Sequence, residues 1–145
     1  MKEFLTATGL VDQAAIEALF LVLDETNLAT GDVLFDYSDS MADKMYFLSQ
    51  GQLAVYKKTG FQEKMQVIAL LDPGTIVGEG GLLERHQRET RVTAIKESRL
   101  WCLTRTDFTA FQLQYPVSAG LFLEYILARV ILRLEKTSGR LARIL

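Results

Sequence analysis

The chain has 145 residues, 49% of them hydrophobic and 23% charged, with a formal charge of −2. That suits one domain with a substantial core and leaves no room for a second, and the slightly negative balance argues against a protein that grips nucleic acid by neutralising phosphates. A single cysteine and a single histidine rule out an internal disulfide and a multi-histidine metal centre. With no basic-then-apolar leader and no apolar run long enough to cross a bilayer uncharged, a cytoplasmic protein is expected.

Asp12 precedes Ala15, Ile16, Leu19, Phe20 and Leu23, an i, i+3, i+4, i+7 series that predicts an amphipathic helix over 11–24. From Thr26 to about Leu103 the texture changes to short alternating runs. Asp32-Val33-Leu34-Phe35, Met45-Tyr46-Phe47-Leu48, Gln52-Leu53-Ala54-Val55-Tyr56 and Met65 to Leu70 read as strands, punctuated by Gly31, Gly51, Gly60 and Pro73-Gly74. Thr59-Gly60 is placed at the tip of a hairpin, with Lys57, Lys58, Glu63 and Lys64 solvated beside it. Many short, closely spaced strands favour a small barrel or jelly roll over a parallel sheet. Cys102, in the apolar run Leu100-Trp101-Cys102-Leu103, reads as a small buried hydrophobe.

After Thr104 the pattern is helical again. Thr106 or Asp107 can cap a short helix carrying Phe108, Phe111 and Leu113, and Tyr115-Pro116 ends it. Pro116 suits the first turn of a long helix running to about Leu145. Leu121 to Val130 is apolar almost all round, which favours a covered segment. Leu127, Ile131, Leu134, Ser138, Leu141 and Leu145 alternate spacings of four and three, a seam expected to pair with its copy in a parallel homodimer.

The densest chemical signal is Val77-Gly78-Glu79-Gly80-Gly81-Leu82-Leu83, followed by Arg88-Glu89-Thr90-Arg91-Val92-Thr93-Ala94. Glycines let backbone amides crowd an anion, Leu82 and Leu83 anchor a helical turn, and an arginine offers a fork of donors to phosphate oxygens. A carboxylate would repel phosphate, so Glu79 is read as an acceptor for a sugar hydroxyl. Arg85, Arg88 and Arg91 compete for the phosphate. If one strand runs from near Arg88 to Leu103, then Arg88, Thr90, Val92 and Ala94 share a face; Val92 and Ala94 are core-like, so Arg88 points inward and Arg91 outward.

Gly78-Glu79-x-Gly81-Leu82 followed by Arg88 and a strand resembles the phosphate-binding cassette of the cyclic nucleotide-binding domain family, which includes catabolite-activator sensor domains and regulatory subunits of cyclic-AMP-dependent protein kinase. Leu28 to Leu34 and Phe35 to Val55 are similar to that family's preceding segments. The resemblance implies an α+β, mainly β fold: a jelly-roll β-barrel (a double-stranded β-helix) over 26–103, with an N-terminal helix over 11–24 and C-terminal helices over 105–145. It implies a bound cyclic AMP or cyclic GMP, its phosphate on Gly80, Gly81 and Arg88 and its ribose on Glu79, with Gly78, Leu82, Glu89 and Thr90 in the same site. It also implies a C-terminal helix that moves on binding. Several positions depart from the pattern. Gly80 stands where an aliphatic residue is usual and is expected to loosen the turn. Glu89 stands where a small residue is usual, His86-Gln87 replaces a common proline, and Ser38-Asp39-Ser40 lacks an early glycine. No nucleophile has a base nearby, no acids are paired around a scissile bond and no metal cluster is present, so no enzyme, cofactor or metal is expected. With no helix-turn-helix segment, a standalone domain or fragment acting through an effector protein is expected, without direct contact to nucleic acid or membrane. The alternative is a degenerate, non-binding barrel that serves as a dimerisation or interaction module.

Overall fold

A computed structural model describes residues 1–37, 42–60 and 64–145. The Ser38-Asp39-Ser40 turn and Glu63 therefore lie outside the described residues. The chain divides into two compact units, Leu21–Ala110 and the terminal segments Met1–Phe20 with Phe111–Leu145.

The larger unit is a jelly roll of two four-stranded antiparallel sheets. Its strands are β1 (Asp24–Leu28), β2 (Val33–Phe35), β3 (Lys44–Gln50), β4 (Leu53–Lys58), β5 (Met65–Leu71), β6 (Ile76–Val77), β7 (Arg91–Ala94) and β8 (Ser98–Thr104). One sheet has the order β1-β8-β3-β6 and the other β2-β7-β4-β5. Tyr46, Leu48, Val77, Leu100 and Cys102 from the first sheet and Phe35, Leu53, Val92 and Ala94 from the second form one apolar cluster. Fully burying each larger side chain contributes about 1.5–3 kcal/mol. Along β3, Met45 and Phe47 are as buried as Tyr46 and Leu48, so the strand reads as a continuous apolar run and not as an alternation.

The expected hairpin joins β4 to β5, with Lys58 opposite Met65 and Thr59 N–H donating to the Lys64 carbonyl at 2.9 Å. Three features differ from the sequence expectation. The strand expected to run unbroken from Arg88 to Leu103 is two strands, because Ile95-Lys96-Glu97 turns the chain between β7 and β8. Thr26 does not begin the β region: β1 begins at Asp24, paired with Cys102. β6 is too short to carry a periodic signal.

Helix α1 (Lys2–Ala7), unanticipated from sequence, and α2 (Gln13–Leu21) open the chain. Asp12 caps α2 as expected, its Oδ1 accepting from Ala14 N–H at 2.9 Å. Helix α3 (Arg105–Gln114) is capped two or three residues earlier than expected: Thr104 Oγ1 accepts from Asp107 N–H at 3.1 Å. Helix α4 (Pro116–Ile144) starts with Pro116 in its first turn. The apolar run in its first half is covered on one side only, with Phe122 and Ile126 buried but Leu123, Leu127 and Val130 exposed. Among the described residues no helix is long and apolar enough to cross a membrane.

Candidate functional site

Arg88 organises the region between β6 and β7. It is 7% exposed and is the charged side chain that the described part of the fold buries. Burying a charge without partners is costly, and the geometry supplies them. Nη1 donates to the Gly78 carbonyl at 2.9 Å and Nη2 to the Lys44 carbonyl at 2.6 Å. Cζ lies 4.0 Å from the centroid of the Phe35 ring, a cation–π contact. The guanidinium thus ties the start of β3 to the entrance of the glycine turn and rests on the end of β2.

That turn is a short 3₁₀ helix, Glu79–Leu82. Gly78 precedes it with φ +71°, and a Cβ there would come within 2.8 Å of Arg88 Nη1, so both conformation and space require glycine. Gly81 packs against the backbone of Lys44, where an added Cβ would sit 2.1 Å from the carbonyl oxygen. Gly81 N–H donates to the Gly78 carbonyl at 2.9 Å and Leu83 N–H to the Gly80 carbonyl at 3.0 Å. The Gly78 carbonyl oxygen therefore accepts from both the Gly81 amide and Arg88. Glu79 opens the turn half-buried, in the position that favours an acid. Leu82 is half-buried and Leu83 exposed.

Arg88, Glu89 and Thr90 precede β7, which begins only at Arg91, so strand alternation does not set their directions; Arg88 is buried all the same, as are Val92 and Ala94, with Thr90 and Arg91 partly covered and Glu89 exposed. Glu89 lines an open surface pocket of about 500 Å³ together with Tyr37, Lys57 and Lys58. The β4–β7 register brings this about, since Tyr56 lies opposite Arg91 and the two lysines follow Tyr56 along β4.

Arg91, the outward arginine, pairs with Asp36 through Nε at 2.8 Å and Nη2 at 2.6 Å. The hydrogen bond from Arg91 holds the Asp36 carboxyl below the usual value of 3.8, and the Asp36 bond raises Arg91 in turn. Arg105, at the start of α3, donates through Nη1 to the Leu83 carbonyl at 3.1 Å, fastening the chain just past the turn. Phe35, the Lys44 backbone, Asp36 and Arg105 join the site without being marked by the sequence pattern. Only Phe35 left a readable trace, as the last apolar residue of its strand. A carbonyl acceptor such as Lys44 O is set by the pairing of distant strands and has no side-chain signature.

The barrel thus carries a glycine-rich 3₁₀ turn cross-tied by a buried arginine. A model of the cyclic nucleotide-binding domain matches residues 25–115, and the chain belongs to that family. The chain is 29% identical over 84 residues to the cyclic AMP receptor protein of Thermus thermophilus, a match covering 57% of this chain and 38% of the receptor. The chain thus spans well under two thirds of that relative. Among solved structures it superposes on a cyclic nucleotide-binding domain from Methylobacillus flagellatus with a TM-score of 0.89 at 16% identity, covering 99% of this chain and 84% of the other. It also superposes on cAMP-bound PfPKA-R with a TM-score of 0.67 at 25% identity, covering 76% of this chain and 39% of that one. The jelly-roll architecture is shared across these relatives.

Proposed function

We propose that the chain is a regulatory module that binds cyclic AMP or cyclic GMP at Gly78–Leu82, Arg88, Glu89 and Thr90, and that occupancy changes the placement of α4. The observation that carries this reading is the Gly78 carbonyl, an oxygen acceptor held by both Arg88 Nη1 at 2.9 Å and the Gly81 amide at 2.9 Å. Those two donors are the ones assigned to the nucleotide phosphate. An anionic phosphate oxygen is a stronger acceptor than a neutral carbonyl, so it competes for both donors at once. Glu79, at the head of the same turn, accepts from a ribose hydroxyl, and Thr90 adds a hydroxyl donor beside the arginine. The cyclic AMP receptor of Thermus and the cAMP-bound PfPKA-R support the choice of ligand class. The function is binding and relay, with no catalytic step, no cofactor and no metal, in the cytoplasm, through an effector protein. Ligand preference for one placement of α4 is what converts binding into a signal.

Calorimetric titration of the chain with cyclic AMP and with cyclic GMP tests the reading, using Arg88→Lys as the paired variant. The expected result is saturable heat with at least one nucleotide, weakened at least tenfold in the variant. No heat with either nucleotide defeats it.

A second reading, an interaction module that dimerises, is favoured by one feature. Leu127, Ile131, Leu134 and Leu141 are all exposed along α4, at the spacing of a coiled-coil seam. The arrangement suits a homodimer, and the two readings are compatible. Sedimentation should show a dimer that Leu134→Glu converts to a monomer; a wild-type monomer at tens of micromolar removes the seam from consideration.

A further inference from the structure

The lone histidine, His86, lies in the loop between the 3₁₀ turn and Arg88, where the sequence gives it no evident task. Its ring is packed against the turn. A Cβ built on Gly80 would fall 2.4 Å from Nε2, 2.5 Å from Cδ2 and 2.8 Å from Cε1 of His86. No side chain at residue 80 can coexist with the imidazole in that position, so the ring occupies the space that a residue larger than glycine would fill.

Two further features seat the ring. Arg85, immediately before it, has φ +62°, in the left-handed region that non-glycine residues seldom adopt. The His86 carbonyl then accepts from Ala42 N–H at 2.8 Å, fixing the loop to the chain just ahead of β3. The turn is thereby bounded at Gly81 by the Lys44 backbone and at Gly80 by the imidazole.

We propose that His86 is a positioning residue for the anion site: its imidazole, seated on Gly80, holds the Gly80–Gly81 amides in the geometry that a ligand phosphate meets. The glycine at 80 does not leave the turn slack, because the histidine six residues later supplies the bulk. This rests on the cyclic nucleotide reading above and extends it to a residue outside the cassette pattern. Preorganisation of this kind lowers the ordering cost paid on binding, so removing the ring weakens affinity without removing a ligand contact.

The test compares wild type with His86→Ala, His86→Phe and Gly80→Ala by calorimetric titration with cyclic AMP and cyclic GMP, with thermal unfolding confirming that each variant is folded. His86→Ala should weaken binding about tenfold, and His86→Phe, which restores a ring, should recover to within about threefold of wild type. Gly80→Ala, which evicts the ring, should match His86→Ala. Because the chain has one histidine, its imidazole NMR signals are unambiguous. In nucleotide-free wild type they should differ from those of a free histidine, collapse toward free-histidine positions in Gly80→Ala, and shift on adding nucleotide. Wild-type binding that His86→Ala reproduces within twofold overturns the positioning role and leaves the ligand reading standing. Imidazole signals in wild type that already match a free histidine overturn it as well. A wild type that binds neither nucleotide ends both, even if the imidazole signals show a seated ring.

Discussion

Replacing Arg88 with leucine should damage the barrel as well as any ligand site, and the size of the damage follows from the contacts. Two charge-assisted bonds run from the guanidinium to the Gly78 and Lys44 carbonyls, at 2.9 and 2.6 Å. Bonds to charged groups contribute about 1.5–3 kcal/mol each. The Gly78 carbonyl keeps the Gly81 amide when the arginine goes, so the loss is nearer to one such bond than to two. The contact with Phe35 adds about 0.5–2 kcal/mol. Leucine retains apolar packing against the ring, which places the net cost at about 2–4 kcal/mol. Lysine keeps the charge but has no planar fork to span two carbonyls on separate elements, so Arg88→Lys should cost about 1–2 kcal/mol. Urea denaturation followed by the fluorescence of Trp101, the single tryptophan, which lies in β8, reads the stability of the barrel unit directly. A leucine variant within about 0.5 kcal/mol of wild type, at unchanged m, would refute the view that Arg88 cross-ties the strands.

Other perturbations have opposite or separable signs. Gly81→Ala drives a Cβ to 2.1 Å from the Lys44 carbonyl oxygen and should cost about 2–3 kcal/mol in the same denaturation assay. Gly139→Ala, in open space on α4, should instead raise helix stability by about 1 kcal/mol, seen as increased ellipticity at elevated temperature. Asp36 has a folded-state pKa lowered by its bond from Arg91, so its contribution is complete above about pH 4 and is lost as the pH falls through the lowered value. Asp36→Asn should therefore flatten the stability–pH profile below about pH 4 and leave its slope near pH 7 unchanged. Burial pushes the Cys102 thiol up and keeps it covered, so an aromatic disulfide reagent should label it at a rate that rises with urea in step with unfolding. Fast labelling of the native protein would contradict that burial.

The sequence carried the strands with a strong apolar signal and lost those defined by pairing. β2, β3, β4 and β5 are near their expected positions because Val33–Phe35, Met45–Leu48, Leu53–Tyr56 and Met65–Leu70 contain runs of strand-forming residues. β1 (Asp24–Leu28) is polar in Asp24-Glu25-Thr26-Asn27 and forms only because β8 offers it an edge, with Glu25 opposite Trp101. No periodicity in those residues could announce it. The caps divide in the same way: Asp12 was legible because α2 starts where its apolar series starts, whereas α3 begins at Arg105, ahead of any apolar residue, so Thr104 carried no visible reason to be its cap.

Parity arguments decide which way a side chain faces and say nothing about what it meets there. Alternation accounts for Arg91, inside β7, facing outward, whereas Arg88 lies three residues ahead of that strand and is turned inward by its bonds to the Gly78 and Lys44 carbonyls. An inward arginine can be a ligand clamp or a structural brace, and the two look the same in sequence because the brace uses only backbone carbonyls. Here the Gly78 carbonyl belongs to the same turn whose amides are assigned to the phosphate, so the brace and the proposed clamp share an atom. That sharing has a consequence for experiment. A substitution that removes the guanidinium perturbs the turn before any ligand is added, so loss of binding in Arg88→Leu alone cannot separate a missing phosphate contact from a collapsed turn. The separation requires a variant that keeps the guanidinium and alters the turn. Gly80→Ala is one, because it leaves Arg88, Gly78 and Lys44 in place and acts only where His86 rests.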